Sequence, residues 1–322
     1  MKRLVKFPSI EQFRNVIRTV CTQHDYQGKD ENDNPIYNHL SPYPTLQFKG
    51  TVKMHGTNAG IVKFKDDDEI QFQSKENTLT LRNDNAGFAL AMSQKQLNFL
   101  FEGLECQDYV AVYGEWIGKG IQKGVAVSEL PKTFVIFGCK VDGNWITYDR
   151  FDNTQGIWNI NQFPSWTVDI DFNNPQLIQN RLVELTMEVE AECPVGKHLG
   201  VIGIGEGIVW TSLDLQHKFK SKGEAHSASK VKTIASVDVE QLNSMNEFVE
   251  YAVTENRLKQ GVEVLRTNGT PITEKSTGDF LRWVVNDIWK EEADTIVENQ
   301  IDKKVNSLIS TKARLWWFNN LD

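Results

Sequence analysis

Apolar and polar positions alternate through much of the first two thirds of the chain, and the period changes thereafter. Leu46-Gln47-Phe48 and Gly60-Ile61-Val62-Lys63-Phe64 read as strands on either side of a polar, glycine-containing turn. Asp66 to Glu69 makes a polar hairpin tip before a third strand, Ile70-Gln71-Phe72-Gln73. Further strands are expected over 109–114, over 134–141 with its Asp142-Gly143-Asn144 turn, and over 207–211. Helical spacing interrupts them near 10–21, near 177–193, and near 86–101, where Phe88, Met92, Leu97 and Phe101 share a stripe.

After about Ser236 only the helical period remains. Leu242, Met245, Phe248, Val249, Ala252 and Val253 form one stripe. Phe280, Leu281, Val284, Val285 and Ile288 form a second, with Thr277 as its expected N-cap. Val305, Leu308, Ile309 and Leu315-Trp316-Trp317-Phe318 indicate a terminal helix docked by large aromatics. The Gly/Ser/Ala/Lys-rich stretch 221–236 separates the two regimes and places a boundary near 225–238, dividing the chain into 1–232 and 233–322. The fold class expected is α+β with an all-helical C-terminal domain. No internal repeat or low-complexity tract is present.

A chain of 322 residues, 40% hydrophobic and 24% charged, is an ordinary globular composition. No run approaches the ~18 consecutive apolar residues of a membrane span, and the N-terminus lacks a signal-peptide apolar segment. The four cysteines (Cys21, Cys106, Cys139, Cys193) follow no CxxC or secreted-scaffold spacing, so reduced thiols and a cytoplasmic setting are expected. A net charge of -8 argues against a uniformly basic surface. It does not exclude nucleic acid, because the field at a site depends on local distribution. Lys218, Lys220, Lys222, Lys230 and Lys232 face a single acid, Glu224, over 218–232.

Candidate chemistry centres on Lys53 in Lys53-Met54-His55-Gly56-Thr57-Asn58. A lysine that attacks phosphorus must be a neutral amine, with cations placed against the charge that develops on the phosphoryl oxygens. Lys218 and Lys220 flank Phe219, so on a strand both amines share one face while Phe219 turns to the core. Standing alone, such a pair is ordinarily a solvated edge. Glu206 precedes the apolar run Gly207-Ile208-Val209-Trp210 and is a candidate ligand for a hard divalent cation, against the plainer reading of a turn acid. Glu115 in Tyr113-Gly114-Glu115-Trp116 is a candidate acceptor for ribose hydroxyls or an exposed strand-end acid. Phe134 and Phe137 fall on opposite faces of one strand, leaving one for the core and one to stack on a base. Arg82 is either a phosphate clamp or a surface residue.

The order of these elements resembles the covalent lysine nucleotidyltransferases, and specifically the RNA ligases of the bacteriophage T4 RNA ligase 2 type. Lys-x-His-Gly-Thr-Asn stands at 53–58, Tyr-Gly-Glu at 113–115, Phe-x-x-Phe at 134–137, Glu-Gly-Ile-Val at 206–209 and Lys-x-Lys at 218–220. DNA ligases and capping enzymes commonly carry Lys-x-Asp-Gly, and His55 leans toward the RNA-joining branch. The resemblance covers roughly 40–230 and reaches less fully into the tail, through Gly278-Asp279-Phe280-Leu281-Arg282-Trp283.

It implies an adenylyltransferase domain of antiparallel, ATP-grasp-like sheets with flanking helices over 1–232, and a helical module at 233–322 that helps engage RNA ends. It implies ATP and Mg2+ (or Mn2+) as cofactors, and as partner an RNA with 5'-phosphate and 3'-OH ends, in a nicked duplex or otherwise, handled by a monomer in a bacterial or phage-infected cell. Lys53 would form lysyl-AMP, Glu206 would place the metal, and Glu115 would hold the ribose. Lys218 and Lys220 would orient the alpha-phosphate. His55, Gly56 and Asn58 would line the phosphate and sugar near the turn, Phe137 would stack on adenine, and Arg82 would engage phosphates, with Phe134 and Lys75 as the competing assignments. Val52 departs from the glutamate common before the nucleophile, so adenine selection needs another source, for which the backbone of 46–52 is a candidate. The competing functions are an end-binding protein without sealing activity and a DNA-sealing or guanylyl-transferring relative.

Overall fold

The computed structural model describes residues 3–39, 41–226 and 245–321. Leu242, Lys230, Lys232 and most of the expected boundary segment, including the 232/233 division, lie outside the described residues. Two compact units are built from interleaved stretches of chain: Met1–Ser9, Gly50–Trp166 and Glu188–Ile208 form one, and Ile10–Lys49, Thr167–Met187 and Val209–Asp322 the other.

The chain opens with α1 (Phe13–Asp25), three residues later than its sequence pattern indicates, and a hairpin of β1 (Tyr26–Lys29) and β2 (Pro35–Tyr37). β3 (Thr45–Val52) leads to the Lys53 turn, and β4 (Thr57–Phe64), β5 (Ile70–Ser74) and β6 (Thr78–Leu79) follow it. α2 (Phe88–Ser93) comes next, then β7 (Tyr109–Ile117), β8 (Thr133–Val141), β9 (Asn144–Ile146), β10 (Ile157–Asn159) and β11 (Ser165–Asp171). α3 (Gln179–Ala191) and α4 (Pro194–His198) precede β12 (Gly207–Ser212) and β13 (Lys218–Lys222). The tail holds α5 (Met245–Ala252), α6 (Glu255–Thr267), α7 (Thr277–Glu291), α8 (Ala293–Glu298) and α9 (Val305–Asn319).

In the first unit, β10, β8, β7, β4, β5 and β6 lie side by side in that order, with β9 also on β8. Its pairs are antiparallel except β10 with β8. One face packs Phe88, Trp116, Phe134 and Ile136 into a core with the short α2. Burying an aromatic ring there stabilises the fold by roughly 2–3 kcal/mol per ring. The long helix expected over 86–101 is cut to six residues plus a single turn at 98–100. The Gln155 side chain accepts the Gln96 N–H at 2.9 Å, removing a donor that would have propagated the helix.

The second unit carries the four-stranded sheet of order β11-β3-β12-β13. Phe219 of β13 is fully buried, 4.7 Å from Phe13 of α1 between ring centres and 5.4 Å from Phe48 of β3. Backbone bonds from Glu11 to Lys218 and Lys220 seat the start of α1 on β13. The helical tail has its own apolar core of Phe248, Phe280, Val284, Ile309 and Trp317. Two tail expectations are corrected. Leu315 and Phe318 face solvent while Trp317 alone of that cluster is fully buried, because consecutive helical residues cannot share one face. Thr277 is the first residue of α7, its hydroxyl donating back to Glu274 O, and Ser276 occupies the cap position. Glu292, wholly buried, receives Arg14 of α1 at 3.0 Å, Arg257 of α6 at 2.7 Å and the Tyr251 hydroxyl of α5 at 3.0 Å. This paired charge cluster ties the tail helices to α1 within the unit.

Candidate active site

β3 ends at buried Val52 and hands the chain to Lys53, whose backbone N–H donates to Gly207 O at 2.8 Å. That bond sets the start of the turn beside the start of β12, where Glu206 sits. The Lys53 Nζ then lies 2.7 Å from Glu206 Oε2, and His55 Nδ1 lies 3.1 Å from the same oxygen. Glu206 is nearly sealed from solvent, its side chain 4% exposed against 21% for Lys53. A carboxylate so buried is tolerated because cationic and polar partners meet it. The Lys53 amine is thus held by a group within proton-transfer distance. Val52 packs inward, so the position before the lysine serves the core.

The rest of the turn is shaped by close backbone approach. A Cβ on Gly56 would lie 2.2 Å from Trp116 O and 2.8 Å from the Ile117 side chain, so only glycine fits. Thr57 is buried, its hydroxyl accepting from Asn85 Nδ2 at 2.8 Å. Asn58 of β4 pairs in register with Glu115 of β7. Glu115 lies inside β7, which runs to Ile117 instead of stopping at Gly114. Burial pushes its carboxyl up to about 7, against attraction from Lys53; Glu206 adds repulsion, while the Gly56 N–H and Lys75 favour the ionised form. Lys53, Glu206, Gly56, Asn58, Glu115 and Lys75 therefore share one neighbourhood of the first unit, and His55 joins them through Glu206.

β8 separates its two phenylalanines as the spacing requires. Phe134 is fully buried against Phe88, at 5.1 Å between ring centres, and it limits residue 114 to glycine, where a Cβ would meet its ring at 2.5 Å. Phe137 is only half-buried and meets Phe7 edge-on at 5.1 Å. It lies where the β7–β8 register shifts. Arg82 stands exposed in the turn closed by Thr80 and Asn83, outside the Lys53–Glu206 cluster.

Lys218 and Lys220 belong to the second unit and project from β13 on the face opposite buried Phe219. Lys218 reaches Thr211 Oγ1 at 3.4 Å, and Lys220 reaches Glu291 Oε1 of α7 at 3.0 Å. Burial pulls the Lys220 amine down, with Glu291 opposing that shift. Burial acts to raise the Glu291 carboxyl, but Lys220, Gln12 and Lys222 outweigh it and hold it at about 2.

Among the described residues, no three His, Cys, Asp or Glu side chains converge as a metal cluster. A hard cation here would have Glu206 as its protein ligand and take its remaining oxygens from phosphate and water, a donor set that Mg2+ accepts. No helix among the described residues is long and apolar enough to cross a membrane. Sequence reasoning missed Gln122, whose side-chain amide donates to Gly56 O at 3.4 Å, and Glu291. Neither lies at a motif spacing, and both are brought in by loops and helices far along the chain.

A family model described as RNA ligase matches residues 47–232, more than half of the chain. The chain belongs to the RNA ligase family. Among solved structures it is similar to RNA ligase from Naegleria gruberi: a lysine-to-alanine variant with ATP and Mn (18% identity, TM-score 0.44), a form with PPi (18%, 0.44) and an aspartate-to-alanine variant without ligand (19%, 0.45). Each match covers 70% of this chain, and 58%, 60% and 57% of those chains in turn. The chain thus spans less than two thirds of the length of these ligases. No curated protein matches it closely enough to count as a relative.

Proposed function

We propose that this protein is an ATP-dependent RNA ligase that joins 5'-phosphate and 3'-OH ends, serving RNA repair. The observation that carries the reading is the Lys53–Glu206 pair at 2.7 Å within the family's matched region. In the first step, Lys53 Nζ attacks the alpha-phosphorus of ATP. A P–N bond forms, the bond to the beta-phosphate oxygen breaks, pyrophosphate leaves with its electron pair, and the amine gives up its proton. Glu206, already hydrogen-bonded to that amine, is in place to hold the proton. AMP then passes to an RNA 5'-phosphate, and the 3'-OH of the adjoining end displaces AMP to close a 3'-5' phosphodiester.

The remaining roles are those that the family resemblance implies. Lys218 and Lys220 neutralise the alpha-phosphate, and His55, Gly56 and Asn58 line its sugar and phosphate oxygens. Glu115 holds the ribose, and with its pKa about 7 it presents both an accepting oxygen and, when protonated, a donating hydroxyl. Phe137 stacks on adenine and Arg82 engages phosphates near the end being joined. A divalent cation on Glu206 would neutralise phosphate charge as it develops. Residues 1–232 act as the adenylyltransferase domain and 233–322 as a helical module for RNA ends. The protein is proposed to work as a cytoplasmic monomer.

A sealing panel tests this reading: nicked RNA, nicked DNA, hybrid nicks and single-stranded RNA, each with ATP or GTP and Mg2+. ATP-dependent joining of RNA 3'-OH ends is expected. Binding without any sealing supports an end-binding protein instead, and preference for all-DNA nicks or GTP moves the reading to the other nucleotidyltransferases.

A further inference from the structure

We propose that Glu291 is a positioning residue for adenylyl transfer: its carboxylate holds the Lys220 ammonium in place to meet a nucleotide phosphate, making α7 part of the phosphate-binding apparatus. This inference rests on the ligase reading above, in which Lys220 contacts the alpha-phosphate.

The geometry is that of a built mount. Lys220 Nζ donates to Glu291 Oε1 at 3.0 Å, while Gln12 Nε2 donates to the other oxygen at 3.2 Å. Both carboxylate oxygens are therefore engaged. The backbone around it is fixed as well, because Arg14 donates to Glu291 O at 2.7 Å and to the Glu292 carboxylate at 3.0 Å. On the other side, the Lys220 N–H donates to Glu11 O at 3.0 Å. The pair is mostly shielded, with side chains 22% and 13% exposed.

The charged groups that act on Lys220 are Glu291 and Asp287 from α7 and Lys222 from its own strand, with Gln12 bound to the same carboxylate. Burial and Lys222 favour the neutral amine; Glu291 and Asp287 favour the ammonium. A partly shielded amine is of use to a phosphate only while it keeps its proton. Glu291 supplies that charge balance and the orientation together. A purely architectural salt bridge between β13 and α7 would give the same contact, but would leave nucleotide binding indifferent to its charge.

The test measures initial rates of lysyl-AMP formation against ATP concentration from about pH 6 to about pH 10. Four full-length proteins are compared: wild type, Glu291→Gln, Lys220→Arg, and the double variant. Glu291→Gln is expected to raise the KM for ATP about tenfold and to move the alkaline limb of the profile down by about one pH unit. A guanidinium stays charged without a partner. In the Lys220→Arg background, Glu291→Gln is therefore expected to leave the alkaline limb where it was. If circular dichroism shows Glu291→Gln unfolded, Glu291→Asp, which retracts the charge by one methylene, is expected to raise the KM in the same direction. Wild-type KM and pH profile in these variants would overturn the inference alone. Absence of lysyl-AMP in the wild type would overturn the ligase reading and this role with it.

Discussion

Glu206 meets the Lys53 amine and the His55 ring with one oxygen, and Glu115 waits nearby with a carboxyl that is half ionised near neutrality. These two acids were legible as candidates because each closes or opens an apolar run, but their partners were not. Lys53 and His55 meet Glu206 directly, whereas Glu115 is half-buried with a backbone N–H as its close support. A measurable consequence follows for stability. The Glu115 pKa rises from an ordinary 4.5 to about 7 on folding. Between those values the folded protein keeps a proton that the unfolded chain has released, so stability falls as pH rises through the window and levels off above it. The size is on the order of 3 kcal/mol. Glu115→Gln is expected to flatten that part of the slope in urea unfolding, while raising the KM for ATP about tenfold through loss of a charge-capable ribose contact.

At the level of elements, the turn between β3 and β4 works because its backbone lies directly against β7. The Lys-x-x-Gly spacing already calls for a glycine at 56, but only the structure gives the reason, a Trp116 carbonyl 2.2 Å from where a Cβ would sit. Gly56→Ala is expected to cost on the order of 2–3 kcal/mol, read as a lowered urea midpoint, and to reduce adenylylation more than a hundredfold by displacing Lys53. The strand β13 was equally open to reading, since Lys-Phe-Lys alternation puts one ring in the core and two amines on the other side. Helices fared less well where tertiary contacts override period. The pattern over 86–101 is apolar at helical intervals, yet Gln155 captures a backbone N–H and the helix stops at Ser93. Likewise Trp316 and Trp317 look alike in sequence, and only the second is fully buried.

Over the whole molecule, motif order along the chain revealed the family before any coordinates, since the motifs at 53–58, 113–115, 134–137, 206–209 and 218–220 all fall within the matched region 47–232. What order does not convey is how the chain is shared between units: residues 1–9 belong to one, while 10–49 join the unit that holds the helical tail. The groups that join α1 to that tail, Arg14 with Glu292 and Gln12 with Glu291, are nearly 280 positions apart and follow no period. Charged side chains of this kind read as solvated surface until the fold buries them. Adenylyl transfer by this chain requires Lys53 to be a nucleophile. Incubation of the full chain with alpha-labelled ATP and Mg2+, followed by denaturing electrophoresis, measures that directly. An acid-labile label on the wild-type protein is expected, together with its complete loss in Lys53→Ala and continued sealing of a pre-adenylylated RNA nick by that variant. No label on the wild type, or label retained by Lys53→Ala, would contradict the account.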